Sequence, residues 1–259
     1  MKTLVITGAS SGIGLATAEL FQHNGWQVFC LSRHNANTAG VTHVPCDVTD
    51  EDSVQAAIAE VMKLTDHIDV AISNAGYGIS GPIEFTTEQD AQRQMDVNFL
   101  GAFRFAKAIL PIMREQHYGK ILFTSSVAAV LSVPYQAFYS ASKAAINALA
   151  LALANEVRDF GIQVSCLMPG DVSTGFTHAR NKSLVGADVY TRMNKAVESM
   201  EKDEIGGMKP HLMAHRFWRM ANMKTPAPFY VGGRIYQIFC FLDNILPKRF
   251  VNWIEGKMY

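Results

Sequence analysis

Six short runs, TLVIT (3–7), QVFCL (27–31), HVPCD (43–47), DVAIS (69–73), KILFT (120–124) and IQVSCL (162–167), recur along the chain with helix-patterned stretches between them. Most have a continuous rather than alternating apolar centre, which marks strands buried on both faces. Strands of that kind separated by helices predict βαβ units, and hence a single-domain α/β Rossmann fold: a doubly wound parallel sheet flanked by helices. One intervening helix is legible in detail. Met95, Phe99, Phe103, Ala106, Leu110 and Met113 repeat at three or four residues as one apolar stripe, and Pro111 is expected to kink it near its end. With no internal repeat, low-complexity segment or Pro/Gly/Ser linker, residues 1–259 are read as one domain.

The 23 basic and 23 acidic residues cancel, so no basic excess supports a nucleic-acid or polyanion partner. Cys30, Cys46, Cys166 and Cys240 are far apart and form neither a disulfide framework nor a zinc spacing. No metal site is expected, and reduced thiols in a cytoplasm are the simplest account. No signal peptide is expected, because TLVIT runs straight into a glycine-rich turn. The apolar stretch IYQIFCFLDNIL (235–246) is broken by Asp243 and Asn244 and falls short of the ~20 residues that span a bilayer. The chain is therefore read as cytoplasmic, without a transmembrane segment.

Two motifs carry chemistry. The first strand ends in TGASSGIG (7–14), where glycines 8, 12 and 14 allow a tight turn and bring backbone N–H groups of a helix N-terminus to a pyrophosphate. The spacing differs from G-x-G-x-x-G. In YSASK (139–143), Tyr139 and Lys143 share a helix face four residues apart. A cation there would favour phenolate and ease proton transfer near neutral pH; the alternative is a solvated face.

Together, TGASSGIG, NAG (74–76) and YSASK resemble the classical short-chain dehydrogenase/reductase family, over residues 1–175. The resemblance implies NAD or NADP bound to a Rossmann fold and an active site of Asn98, Ser126, Tyr139 and Lys143. Tyr139 would be the general acid in reduction and its phenolate the base in oxidation. Lys143 would lower the phenol's pKa and hold the nicotinamide ribose, Ser126 would bond the substrate oxygen, and Asn98 would hold a water for a proton relay. Cofactor contacts are expected from Gly8, Ser10, Ser11, Gly12, Ile13 and Gly14 in the first turn. Asp47 and Val48 would receive the adenine, although Asp47 also reads as a helix cap. Asn74, Ala75 and Gly76 would lie near the ribose, and Pro169, Gly170, Val172 and Thr174 around the nicotinamide. Asp69 is expected to buttress the sheet. At the end of the second strand, where family members that prefer NAD carry an Asp, this chain has Ser32 and Arg33. A guanidinium suits the 2′-phosphate, so the cofactor is read as NADP(H), with a solvated surface Arg as the alternative.

Six of the twelve methionines lie between 175 and 225, a span without the strand pattern. It reads as ordinary helix packing or as an apolar lid over a bulky substrate, and 175–225 is assigned to a substrate lid. Residues 226–259 depart from the common family ending and are similar, loosely, to the branch related to 17β-hydroxysteroid dehydrogenases and lipid ketone reductases. Core packing and oligomer contact are expected of this segment, with a pocket wall or a peripheral membrane face as alternatives. The reading is an NADP(H)-dependent reductase of an apolar ketone or secondary alcohol, steroid-like or lipid-like, assembled as a homodimer or homotetramer. Reduction of 3-oxoacyl thioesters, or a cofactor-loaded binding protein without turnover, are the alternatives.

Overall fold

The computed structural model describes residues 1–258. The strands are β1 (Thr3–Thr7), β2 (Gln27–Ser32), β3 (Val41–Pro45), β4 (Val70–Ser73), β5 (Ile79–Ser80), β6 (Gly119–Thr124), β7 (Ile162–Pro169), β8 (Asn181–Lys182) and β9 (Phe229–Gly232). The helices are α1 (Gly12–His23), α2 (Glu51–Met62), α3 (Glu88–Met95), α4 (Gly101–Gln116), α5 (Ala137–Glu156), α6 (Phe176–Ala179), α7 (Met193–Ile205), α8 (Pro210–Asn222), α9 (Arg234–Ile245) and α10 (Lys248–Met258). Seven strands form one parallel sheet in the order β3-β2-β1-β4-β6-β7-β9. The order reverses beside β1, and in such sheets the crevice at the carboxyl ends of the strands there takes the ligand.

The continuous apolar runs bury both faces. Val5, Phe29, Leu31, Ala71, Ile121 and Phe123 meet Val54, Ile58, Phe105, Ile109 and Ile146 of α2, α4 and α5. Their alternate neighbours Leu4, Ile6, Val28, Ile72, Leu122 and Leu167 meet Phe21, Met213 and Phe217 of α1 and α8. Each fully buried large side chain contributes roughly 1.5–3 kcal/mol. α5 is by length and composition apolar enough to cross a membrane. In the fold it is a core helix, with Ile146, Ala150 and Leu153 buried against the sheet.

All six expected strands form, and a seventh, β9, extends the sheet beyond β7. The span 175–225 is not free of strand: β8 pairs with β5 in a two-residue ladder. The helix around Pro111 also differs from expectation. Its departure from α-helical bonding lies at Asp96–Leu100, a π-turn, and α4 continues beyond Pro111 to Gln116. A π-turn adds a residue to one turn, so the stripe read across it loses phase. Ala102, Phe105, Ala106, Ile109 and Met113 are the buried set, and Phe103 is exposed. Phe250, Trp253 and Ile254 of α10 are exposed, so these side chains do not join the chain's own core.

Candidate active site

The ends of β1, β4 and β6 are tied together by side chains. Thr7 Oγ1 accepts from Asn74 N (2.9 Å) and Ala75 N (3.1 Å), Asn74 Nδ2 donates to the Gly8 carbonyl (3.0 Å), and Thr124 Oγ1 donates to Asn74 Oδ1 (3.1 Å). Gly8 turns at φ +66°, and a Cβ there would stand 2.7 Å from Ala75 Cα, so only glycine lets these loops meet. Ser11 caps α1 with extended backbone and no side-chain bond, and no acidic residue occupies the first turn. The leading N–H groups of α1 are thus left for an anion at the cavity wall, which fits a dinucleotide pyrophosphate.

Ser126, Tyr139 and Lys143 converge at the floor of the cavity. Ser126 caps a single turn of 3₁₀-helix, its Oγ accepting from Ala128 N at 3.1 Å, and its side chain stands near enough to the Tyr139 phenol to favour the charged form. Lys143 is buried, donates from Nζ to the Thr124 carbonyl at 2.8 Å, and stands 5.7 Å from the centroid of the Tyr139 ring. Burial pushes the phenol up to about 12, with Ser126 opposing it, and lowers the ammonium to about 8. The sequence led to the opposite direction for Tyr139. Spacing on a helix reports proximity but not desolvation, which here disfavours both charged forms.

Asn98 sits in the π-turn, buried behind the wall rather than on it. Its Oδ1 accepts from Tyr77 N (3.0 Å), and its Nδ2 donates to the Tyr77 carbonyl (3.0 Å) and Ser142 Oγ (3.0 Å). It therefore couples the loop after β4 to α5. A methyl group on Gly76 would stand 3.2 Å from Asn98 Oδ1 and 3.6 Å from Lys143 Nζ, so these two atoms flank one point.

The other expected contacts fall on the same cavity, of about 1490 Å³: Gly8, Ser10, Ser11, Gly12, Ile13, Ser32, Arg33, Asp47, Val48, Asn74, Ala75, Gly76, Pro169, Gly170, Val172 and Thr174. Gly14 is the exception, packed against Asn74 Nδ2 and the Gly8 carbonyl. Arg33 is exposed at the end of β2, while Ser32 Oγ donates inward to the His34 carbonyl at 2.8 Å. Asp47 does not cap α2, because Asp50 does. Asp47 Oδ1 accepts instead from Thr49 N (2.9 Å) and Thr49 Oγ1 (2.8 Å). The Thr49 N–H bond, assisted by the nearby Arg33 and Arg104, holds its carboxyl below the usual range. Asp69 accepts from Thr3 N at 2.7 Å and so braces β1, as expected.

Several neighbours of Tyr139 escaped the sequence reading. Phe176 packs its ring 5.6 Å from that of Tyr139, and the Arg180 guanidinium lies 5.7 Å from the Phe176 centroid. Arg180 has no exposed side-chain surface and pairs with Glu204 of α7, which also accepts from Thr177 Oγ1 at 2.7 Å. Tyr236 of α9 donates to Asp171, whose carboxyl is raised chiefly by burial. A buried arginine in the polar string FTHARNK leaves no periodic signal, and Tyr236 is one aromatic among many in its segment. α9 and α10 complete the far wall with Phe239, Leu242, Leu246, Val251 and Ile254.

This site and fold match known proteins. The family model for short chain dehydrogenases matches residues 2–184. The 3-ketodihydrosphingosine reductase of Bacteroides thetaiotaomicron is 38% identical over 261 residues, covering 97% of this chain and 96% of that protein. An uncharacterized oxidoreductase of Escherichia coli, YbbO, is 37% identical over 259 residues, covering 98% of this chain and 93% of its own. The crystal structure of a short-chain dehydrogenase from Streptomyces avermitilis superposes with a TM-score of 0.85 over 99% of this chain and 97% of that one, at 27% identity. The matched segment contains the glycine turn, the tied strand ends and the Ser126–Tyr139–Lys143 cluster, and the chain belongs to the short-chain dehydrogenase family.

Proposed function

We propose that the protein is an NADP(H)-dependent oxidoreductase that interconverts an apolar, lipid-like ketone and its secondary alcohol. Oxidoreductase chemistry on an alcohol or keto group follows from the family. The finer reading is carried by one observation: the Ser126–Tyr139–Lys143 cluster opens into a cavity whose far wall is the apolar side of α9 and α10. The similarity to a protein named 3-ketodihydrosphingosine reductase supports a long-chain substrate.

When bound, the nicotinamide supplies the hydride to the carbonyl carbon. In reduction, Ser126 Oγ bonds the substrate oxygen and Tyr139 gives it the phenolic proton, so the product is the neutral alcohol. A phenol held near 12 stays protonated at neutral pH and serves as this acid. Lys143, fixed by Thr124, binds the ribose hydroxyls and, when protonated, stabilises the phenolate left behind. Asn98 Oδ1 makes one accepting bond and keeps a second lone pair. A water bonded there and to Lys143, beside Gly76, would return a proton to Tyr139. Gly8 and Gly12 with Ser10, Ser11 and Ile13 would hold the pyrophosphate, Gly14 packing behind that turn, and Asp47 and Val48 would flank the adenine. Asn74 to Gly76 support the ribose, and Pro169, Gly170, Val172 and Thr174 the nicotinamide. Arg33, without an acid at 32 or 33, supports a 2′-phosphate. Residues 175–205 act as the lid, Glu204 of α7 bonding Thr177 and Arg180 beside Phe176, while α8, the later part of the expected 175–225 span, packs into the core through Met213, Phe217 and Met220. Exposed Phe103, Leu151 and Phe160 on α4, α5 and the turn after it support a homodimer or homotetramer through that face.

The test is a panel of carbonyl compounds assayed for NADPH oxidation: a long-chain amino ketone, a steroid ketone, a 3-oxoacyl thioester and a small diketone. Turnover of the long-chain ketone at the highest kcat/KM is expected. Preference for the thioester, or no turnover of any ketone, contradicts the proposal.

A further inference from the structure

Among the described residues, α9 and α10 leave large apolar side chains exposed on their outer face. Ile238, Phe241 and Ile245 follow one another at three- and four-residue steps on α9 and are 55%, 63% and 60% exposed. Trp253, 59% exposed, stacks with Phe250 on α10, their centroids 6.1 Å apart. Large aliphatic and aromatic side chains gathered on one surface mark a binding face. Its charges have one sign. Arg234, Arg249 and Lys257 are exposed along it, Lys257 lying 6.0 Å over the Trp253 ring. The acids of these helices are less exposed: Asp243 is buried and paired with Lys248, and Glu255 is partly buried.

Apolar residues with an aromatic anchor and a basic fringe suit the interface of an anionic bilayer, where the apolar side chains enter the acyl boundary and the cations meet headgroups. The same two helices wall the active-site cavity from the inside. Ile235 and Ile254 are both exposed and part of the cavity wall, so the rim of the cavity lies within the apolar face.

We propose that α9 and α10 dock the enzyme onto anionic membrane surfaces, with the cavity rim against the bilayer, so that a lipid ketone passes from the membrane to Tyr139 without crossing water. The second half of this statement rests on the lipid-like substrate proposed above; the docking itself does not.

The experiment is co-sedimentation of the full chain with vesicles of phosphatidylcholine alone and of phosphatidylcholine with phosphatidylglycerol. Binding to the anionic vesicles at least tenfold tighter, weakened by salt, is expected. Phe241→Ser with Trp253→Ser should lower that binding about tenfold or more. So should Arg249→Glu with Lys257→Glu, a pair of exposed changes that decides the matter if the first variant does not fold. Both variants should reduce a small water-soluble ketone at the unmodified rate and lose activity only toward a long-chain ketone presented in vesicles. Failure of the unmodified protein to sediment with anionic vesicles, or equal binding by the charge-reversed variant, overturns the docking. A dimer that dissociates in the Phe241→Ser, Trp253→Ser variant, without vesicle binding in the parent, would make this face a subunit interface instead. A protein that sediments but reduces no ketone would overturn the proposed function and leave the docking standing.

Discussion

Lys143 Nζ donates to the main-chain carbonyl of Thr124 at 2.8 Å, so the ammonium is anchored to the end of β6 before any ligand arrives. The group is buried, and desolvation lowers it from 10.5 to about 8. A lysine whose folded pKa lies below its unfolded value costs stability while it is charged. Between about pH 8 and 10 the unfolded lysine binds more protons, so the contribution of this group to stability rises with pH through that window, while the buried thiols of Cys46 and Cys166, raised to about 11 and about 12, act against it above 9. Tyr139 also acts against it, but only above its ordinary value of 10.

Lys143→Met should therefore stabilise the ligand-free protein at pH 7 by on the order of 1–2 kcal/mol, after allowing for the lost bond to Thr124. Relative to the parent, its stability should fall as pH rises from 8 to 10, because the rise that Lys143 contributes is gone. Cofactor affinity and turnover should both fall. Urea melts at several pH values, with cofactor titrations, check each part.

Arg180 and Glu204 form a pair with no exposed surface on the arginine, while Nε and Nη1 of Arg180 have no hydrogen-bond partner among the described residues. Breaking such a pair leaves a buried charge behind, so Arg180→Met should destabilise the fold by about 3 kcal/mol. Glu204→Leu added to it should recover much of the loss. Denaturant midpoints of the single and double variants measure this, and additive losses would contradict it.

The proton relay is addressed by Gly76→Ala. The added methyl would sit between Asn98 Oδ1 and Lys143 Nζ, at 3.2 and 3.6 Å. Expulsion of a bridging water should lower kcat by about tenfold while thermal stability and substrate KM change little. A variant with the parent's kcat and solvent isotope effect would remove the relay.

Cofactor preference turns on Arg33. A charge-assisted bond contributes roughly 1.5–3 kcal/mol, so Arg33→Ala should raise the KM for NADPH about ten- to a hundredfold and barely affect NADH. Adding Ser32→Asp should reverse the preference. Steady-state kinetics with both cofactors decides it, a parent that prefers NADH being the contrary result.

The sheet was legible because the centres of TLVIT and most of its counterparts are apolar at consecutive rather than alternate positions, the mark of burial on both faces. The glycine turn, Ser126, Tyr139 and Lys143 were legible as motifs with fixed spacing, and they share one cavity. Three kinds of feature were not. The π-turn at Asp96–Leu100 shifts the helix phase by one residue, which an uninterrupted period cannot register. Phe176, Arg180 and Glu204 meet only through tertiary folding of the 175–225 span. An amphipathic pattern such as that of α9 reads the same whether its apolar face meets a core, a partner or a membrane, so the exposure of Phe241 and Trp253 came from the structure alone.

The central claim is that Tyr139 delivers a proton to the oxygen of a bound ketone, and Tyr139→Phe removes the hydroxyl alone. Single-turnover oxidation of bound NADPH by a long-chain ketone, followed by absorbance in the parent and the variant, tests it. The account predicts a rate lowered at least a hundredfold, with NADPH binding unchanged because the glycine turn and Lys143 remain in place. A Tyr139→Phe protein that oxidises NADPH within a few-fold of the parent would contradict it.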